Sequence, residues 1–168
     1  LVAWYPMDED ANDISGNNYN GIVSGTTITD GIIDSCYRFN TVDNYINLSS
    51  LPFSTLNACS ISFWIKLDVV KSWLPFTGQT TNQYILATGN GTGAFYHANS
   101  GSPTGIYGDG VSVSAPIADT NWHHYVITGV DLSSWTNMYI NKYNSNWNWV
   151  GLLDDVRIYN RLLSAEEV

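Results

Sequence analysis

Two clusters of oxygen-bearing side chains, near opposite ends of the chain, carry its most pointed chemistry. One is the acidic, Asn- and Gly-rich stretch Asp8-Glu9-Asp10-Ala11-Asn12-Asp13-Ile14-Ser15-Gly16-Asn17-Asn18. The other is the pair Asp154-Asp155, inside the strand-like run Leu152 to Tyr159. Oxygen ligands on a glycine-punctuated loop suit a hard cation such as Ca²⁺. Strand parity places Asp154 with Leu152, Val156 and Ile158, and Asp155 with Arg157. A carboxylate on an apolar side needs a partner. The candidate ligands of a structural Ca²⁺ are therefore Asp8, Asp13, Asn17 and Asp154, with the ion tying the first loop to both terminal strands. The alternative is that the loop residues close Asx turns and Asp154 accepts backbone N–H bonds. No contiguous EF-hand-like pattern decides between them.

A second set of residues suits sugar recognition, which needs aromatic rings for a pyranose face and polar groups for its hydroxyls. Aromatics form 14% of the chain, with 7 Trp and 11 Tyr, more than a core of this size usually consumes. Trp73, Phe76, Tyr84, Tyr96, Tyr107, Trp147 and Trp149 lie in or beside loops, with Asn82, Asn99, Asn146 and Asp109 as polar companions. Of these, Trp73, Tyr84, Tyr96, Asn99, Trp147 and Trp149 form the candidate ligand set. Trp147 and Trp149 flank Asn148 in a polar loop, and alternation puts both on one face. The competing role for each ring is capping an open end of the fold.

Catalysis finds little support. The chain has only three Glu, at positions 9, 166 and 167, and none lies mid-strand. Adjacent Asp154 and Asp155 face opposite sides and cannot flank one glycosidic bond. No serine-nucleophile motif accompanies a His/Asp set. His97, His123 and His124 lack zinc-like partners.

The elements that must position these groups are strands. In Ser60-Ile61-Ser62-Phe63-Trp64-Ile65-Lys66-Leu67 the apolar residues recur every second position, as in a half-buried antiparallel strand. Similar runs are Leu1–Met7, Gly21–Val23, Tyr37–Phe39, Tyr45–Leu48, Tyr84–Ala87, Ala94–Tyr96, Gly105–Tyr107, Val111–Val113, His123–Thr128, Met138–Ile140 and Leu152–Tyr159. Gly, Asn, Asp and Ser clusters separate them, the composition of turns. So many short strands predict an all-β, two-sheet antiparallel sandwich or barrel. The one helix signal is Ser164-Ala165-Glu166-Glu167, a capping box for a short C-terminal turn.

At 168 residues the chain fits one domain, residues 1–168, with a sizeable core. It is expected to be part of something longer. Six Lys+Arg against fifteen Asp+Glu give a net charge of −9, which disfavours nucleic acid and anionic membranes. No run approaches a membrane span. Cys36 and Cys59 suit either one disulfide or two buried thiols. Asn47-Leu48-Ser49 and Asn90-Gly91-Thr92 match the glycosylation pattern, which an Asn-rich chain also generates by chance.

Several stretches, in order, resemble a known family. Leu1-Val2-Ala3-Trp4-Tyr5-Pro6-Met7, with Asn12 to Asn17 and Asn20-Gly21, resembles the opening of LamG-like jelly-roll domains in the concanavalin A-like lectin/glucanase superfamily. Phe39-Asn40-Thr41-Val42-Asp43-Asn44-Tyr45-Ile46, Ser60 to Lys66, Asn121-Trp122-His123-His124-Tyr125-Val126 and Leu153 to Val168 are similar to its later segments. The resemblance implies a jelly roll with adjacent terminal strands and packing roles for Trp4, Trp64 and Trp122. It also implies carbohydrate or protein-surface binding, often beside a structural Ca²⁺. After Asn141 only Lys142–Gly151 precede the Asp-Asp strand, shorter than the family's path. Two functions follow as expectations. One is a non-catalytic lectin-like module, displayed in several copies. The other is a structural or adhesion domain contacting protein in a larger assembly. Either belongs outside the cell, on a cell surface or on a virion or phage.

Overall fold

The computed structural model describes residues 1–168 except 42, 70–75, 78–83, 89–94, 99–102, 116–118 and 143–148, with the side chains of 77, 86–88 and 95–98 also excluded. Fourteen strands appear in chain order among the described residues. The first seven are β1 (Ala3–Tyr5), β2 (Ile22–Ser24), β3 (Thr27–Asp30), β4 (Ser35–Phe39), β5 (Tyr45–Asn47), β6 (Cys59–Leu67) and β7 (Phe76–Thr77). The rest are β8 (Tyr84–Thr88), β9 (Phe95–Ala98), β10 (Gly105–Gly108), β11 (Val111–Ser112), β12 (Trp122–Val130), β13 (Tyr139–Ile140) and β14 (Gly151–Tyr159). They form two antiparallel sheets. The larger runs β11-β10-β12-β6-β14-β4-β3, with β1 also paired to β14; the smaller runs β2-β5-β13-β7-β8-β9. The expected two-sheet jelly-roll architecture is present.

Alternation explains how the layers meet. On β6, Ile61, Phe63, Ile65 and Leu67 are buried, and Trp64 and Lys66 on the other face are half-buried. They meet Ile46, Phe76, Ile85 and Ile140 from the smaller sheet in one continuous core. Phe63 packs edge-on to Phe76 with centroids 5.1 Å apart and stacks on Tyr125 at 5.9 Å. Strand β3 was not among the expected runs, because all four of its residues are exposed at a sheet edge and leave no apolar period to read. At the C-terminus one arm of the capping box forms, Ser164 N donating to Glu167 Oε2, while Glu167 N donates to the Ser164 backbone carbonyl, and the segment closes a single turn and no helix.

Strand β14 organises the site. One edge pairs with β6 throughout; the other pairs with β4 over Gly151–Leu153 and with β1 over Val156–Ile158. The first and last strands thus lie side by side. Between the two partners the register shifts, and Asp155 takes a positive φ of 48°, a β-bulge that re-aims its side chains. The bulge corrects the parity expectation. Leu152 faces outward beside Lys66 and Arg38, whereas Leu153, Val156 and Ile158 enter the core. Asp154 is fully buried all the same, in the gap where β14 changes neighbours.

Candidate functional site

The N-terminal loop and β14 bring the four candidate cation ligands together as two pairs. Asp13 is the organiser of the first. Its Oδ1 accepts Trp4 N at 2.9 Å and Ser15 N at 2.8 Å, and its Oδ2 accepts Tyr19 N at 3.0 Å. Burial opposes the charge, yet these donors outweigh it and hold Asp13 below the usual carboxylate range. Asn17 turns its amide nitrogen to Val2 O at 2.9 Å. Both side chains are engaged in fastening the loop to β1, as the Asx-turn alternative requires.

The second pair meets the turn between β3 and β4. Asp8 Oδ1 accepts Ser35 N at 3.0 Å, and Asp154 Oδ2 accepts Ile32 N at 2.9 Å and Ile33 N at 3.0 Å. Gly31 permits the approach: a Cβ there would lie 2.6 Å from Asp154 Oδ2. The other Asp154 oxygen, Oδ1, is buried without a hydrogen-bond partner. Burial pushes the Asp154 carboxyl up to about 6, against the lowering effect of the Ile33 and Ile32 amides. Among the described residues, no group of three or more His, Cys, Asp or Glu is placed to hold a metal ion. The proposed cage of four side chains is therefore not assembled as drawn; Asp154 and Asp8 share one turn, and Asp13 and Asn17 serve another.

The two central carboxylates have separate roles. Asp155 Oδ1 accepts Trp4 Nε1 at 2.7 Å, and Arg157 Nη2 reaches Asp155 Oδ2 at 3.0 Å. The Arg157 guanidinium also lies 4.6 Å from the Trp4 ring centroid. Trp4 and Trp64 pack on the outer face of the larger sheet, Trp64 against His124 at 5.0 Å. Ser62 Oγ and His124 Nε2 are 2.9 Å apart, the one Ser–His contact on this face among the described residues. Both residues lie mid-strand, where the sheet ladder occupies the neighbouring N–H groups, so no oxyanion donors converge there.

His123 lies between two carboxylates. Its Nδ1 is 2.8 Å from Asp109 Oδ2 and its Nε2 is 2.9 Å from Asp119 Oδ1. Both contacts are hydrogen bonds only when both nitrogens carry protons. Burial disfavours that charge, but the two carboxylates prevail and raise the His123 pKa above its ordinary value. A raised histidine pKa gives stability that is complete below the unfolded value of 6.5 and is lost as pH rises through the folded value. The stability difference between the wild type and His123→Gln should accordingly shrink above neutrality. An NMR titration should place the His123 midpoint above 6.5, and lower it in Asp109→Asn.

The aromatic candidates divide sharply. Trp149 is a core residue, 1% exposed, with its ring 4.8 Å from Phe39; its assignment to ligand binding is corrected. Phe76 is likewise fully buried. Tyr84 is half-buried on β8, and Tyr96 belongs to β9. Trp73, Asn99 and Trp147 lie outside the described residues, as do Asn82 and Asn146. Cys36 and Cys59 are both free and buried, on β4 and β6, and burial pushes each thiol up to about 12.

Of the outer face of the smaller sheet, the sequence reading singled out Tyr84 alone and missed Tyr45, Asn47 and Tyr139. Register aligns Ile22, Asn47, Tyr139, Thr77, Tyr84 and Ala98 in one row across all six strands. Their inward neighbours Ile46, Ile140, Phe76 and Ile85 are core, so Asn47, Tyr139 and Tyr84, each half-buried, and Ile22, exposed, face out. Tyr45 stands beside it, 6.1 Å from Tyr139 in an edge-to-face contact, and Lys142 Nζ lies 4.0 Å and 4.7 Å from the two ring centroids. The available signal was the alternation Tyr45-Ile46-Asn47 and Tyr139-Ile140, in strands too short to stand out.

Comparison with known proteins agrees with this architecture. Domain 4 of a GH43 extracellular arabinanase from Geobacillus stearothermophilus, solved with arabinotriose, is similar with a TM-score of 0.73 at 18% identity, covering 99% of this chain and 95% of that one. The binding domain of Paraclostridial Mosquitocidal Protein 1 gives 0.68 at 19% identity, and the botulinum neurotoxin serotype G binding domain 0.67 at 14%. Each covers 99% of this chain, which spans about half of theirs (50% and 49%). No curated protein matches. The model of the concanavalin A-like lectin/glucanases superfamily matches residues 39–147. With that match spanning most of the sequence, and the two antiparallel sheets it calls for in place, the chain belongs to the concanavalin A-like lectin/glucanases superfamily.

Proposed function

We propose that this is a non-catalytic carbohydrate-binding module acting outside the cell, with a structural Ca²⁺ at the junction of its terminal strands. The observation that carries the reading is the half-exposed aromatic and amide row on the outer face of the smaller sheet. Rings with flanking amides are what a sugar's C–H face and hydroxyls require, and here they lie on a rigid sheet. Tyr84 stands in that row; Trp73, Tyr96, Asn99 and Trp147 complete the proposed ligand set by residue type. The arabinanase domain, similar over nearly the whole of both chains, was solved with an oligosaccharide, which supports the same class of ligand. Against catalysis, Asp154 and Asp155 diverge, one to the turn after β3 and one to Trp4.

For the cation, the fit rests on Asp154. A buried carboxylate oxygen without a hydrogen donor suits a hard cation, and Asp8, on the same turn, is the second side chain that would hold it. The ion would supply charge compensation where β14 changes partners. Asp13 and Asn17 would support the site by fixing the loop.

A glycan array probed with and without chelator tests the function. Binding of one saccharide class in both conditions, with a lower melting temperature under chelator, is the expected result. Binding to no saccharide would overturn it in favour of an adhesion domain contacting protein. The observation favouring that second reading is Ile22, 68% exposed on edge strand β2, and Val111, 65% exposed on edge strand β11, since open apolar edges suit contact with another chain.

A further inference from the structure

We propose that the outer face of the larger sheet carries a second ligand site, in which Trp64 and Trp122 stack on a saccharide and Lys66 receives its single carboxylate. It goes beyond the reading above, because it lies on the opposite layer of the sandwich. Ile61, Phe63, Ile65 and Leu67 of β6 are core, so Trp64 and Lys66 face out. Lys66 stands between Trp122 on β12 and Leu152 on β14, directly opposite each. All four residues are half-buried. Cross-strand and diagonal neighbours on one face of an antiparallel sheet lie within reach of long side chains, so the two indoles flank the lysine. Neither indole N–H has a hydrogen-bond partner among the described residues. Trp4, on the same face, differs: its Nε1 is held by Asp155 and its ring by Arg157.

The charges around Lys66 select the ligand. Lys66 makes no ion pair, hydrogen bond or ring contact among the described residues. Arg38, next in the row beyond Leu152, is held by Asp68, and Arg157 by Asp155. His124, opposite Trp64, is kept below its ordinary pKa by burial and has Ser62 Oγ on its Nε2. Asp154 is turned to the Ile32 and Ile33 amides, and Asp109 and Asp119 to His123, which has the opposite parity to Trp122 on β12. One uncompensated cation therefore stands beside the two rings. With a net charge of −9, the chain repels polyanions; one carboxylate on an otherwise hydroxylated ring escapes most of that repulsion. The indole faces suit the sugar's C–H face and the free N–H groups its hydroxyls. An acidic peptide fits less well. Strands β12, β6 and β14 are interior to the sheet, so their backbone donors are already paired and cannot hold an extended chain.

The test is calorimetric titration of the whole chain with three probes: a uronic-acid oligosaccharide, the same oligosaccharide reduced at its carboxyls to the neutral sugar, and hexaglutamate. Wild type should bind the acidic saccharide on the order of tenfold more tightly than the neutral one, the scale of one charge-assisted hydrogen bond. That preference should fall with added salt. Lys66→Gln should bind both saccharides alike, and Lys66→Arg should keep the preference, a contrast that a folding defect would not produce. Trp122→Phe, which keeps a ring without its N–H, should weaken both saccharides and leave the preference in place. Equal wild-type affinity for the two forms, or an unchanged preference in Lys66→Gln, would overturn the inference and leave the carbohydrate-binding reading of the smaller sheet standing. Hexaglutamate bound more tightly than the acidic saccharide would overturn it in favour of a protein partner on this face. Binding of no saccharide, acidic or neutral, would overturn both readings.

Discussion

Replacing Trp149 with alanine is expected to lower the unfolding free energy by about 3–5 kcal/mol, the cost of deleting a large aromatic from a close-packed core. Typical domain stabilities are about 5–15 kcal/mol, so a large share of the total is at stake. The indole packs on Phe39, and the backbone N–H of Trp149 is fixed by Asn141 Oδ1 at 3.0 Å. Asn141 is itself buried and donates to Asn44 O at 3.1 Å. The ring therefore closes the sandwich where β13 leads towards β14. Urea denaturation should show a lower midpoint with an unchanged slope, and Trp149→Phe should recover part of the loss. Had Trp149 been a sugar platform, alanine would instead leave the midpoint in place and remove binding.

In chelator, lowering the pH from 7.5 towards 4.5 should stabilise the wild type by more than it stabilises Asp154→Asn, which keeps the His123 contribution. The sign follows from Asp154, whose carboxyl rises from 3.8 to about 6 on folding. Between those values the native state binds more protons than the unfolded chain, so stability increases as the pH falls through the window. About two pH units of separation correspond to at most roughly 3 kcal/mol. By the same logic Asp154→Asn should melt higher than wild type at pH 7.5 in chelator, because it keeps an acceptor for Ile32 and Ile33 without a buried charge. Saturating Ca²⁺ should close most of that gap. At about a hundredfold excess over Kd the ion would add about 2.7 kcal/mol to the wild type, with no comparable gain in Asp154→Asn. A wild type whose melting ignores Ca²⁺ would remove the cation from the proposal.

How far the sequence could be read depended on the range of the forces involved. Strands such as β6 and β12 were visible because alternating burial is written locally, in Ile61, Phe63 and Ile65 or in Tyr125 and Ile127. The adjacency of β1 and β14 was legible only through the family resemblance, since no local pattern specifies a partner more than 150 residues away. Parity failed at β14 because a bulge inserts a residue into the period, and only the exchange of β4 for β1 makes that insertion necessary. Asp154 came out buried for a reason different from the one expected: it fills the gap between two neighbours and answers two turn amides. Trp149 was misread for a related cause. Its spacing from Trp147 looks like an exposed pair, but its inward direction is set by Gly151 lying opposite Phe39. The Tyr45–Tyr139 corner was overlooked because it joins two strands of three and two residues through register alone. The acidic loop was recognised as a functional cluster, yet backbone amides satisfy most of its oxygen chemistry.

The central position of β14 also bears on how the polypeptide acquires its structure. Strand β14 bridges β6 to both β4 and β1, so these ladders wait for residues 151–159, whereas β6 can pair with β12 before them. Completing the larger sheet therefore requires closure of very large loops, as between β1 and β14, and should be slow for the chain's size. Until then β6 presents an unpaired, strongly apolar edge open to wrong partners. Expression trials should fare best where the nascent chain is shielded until residue 159 has emerged, and truncation before Gly151 should yield aggregate in place of a smaller folded domain.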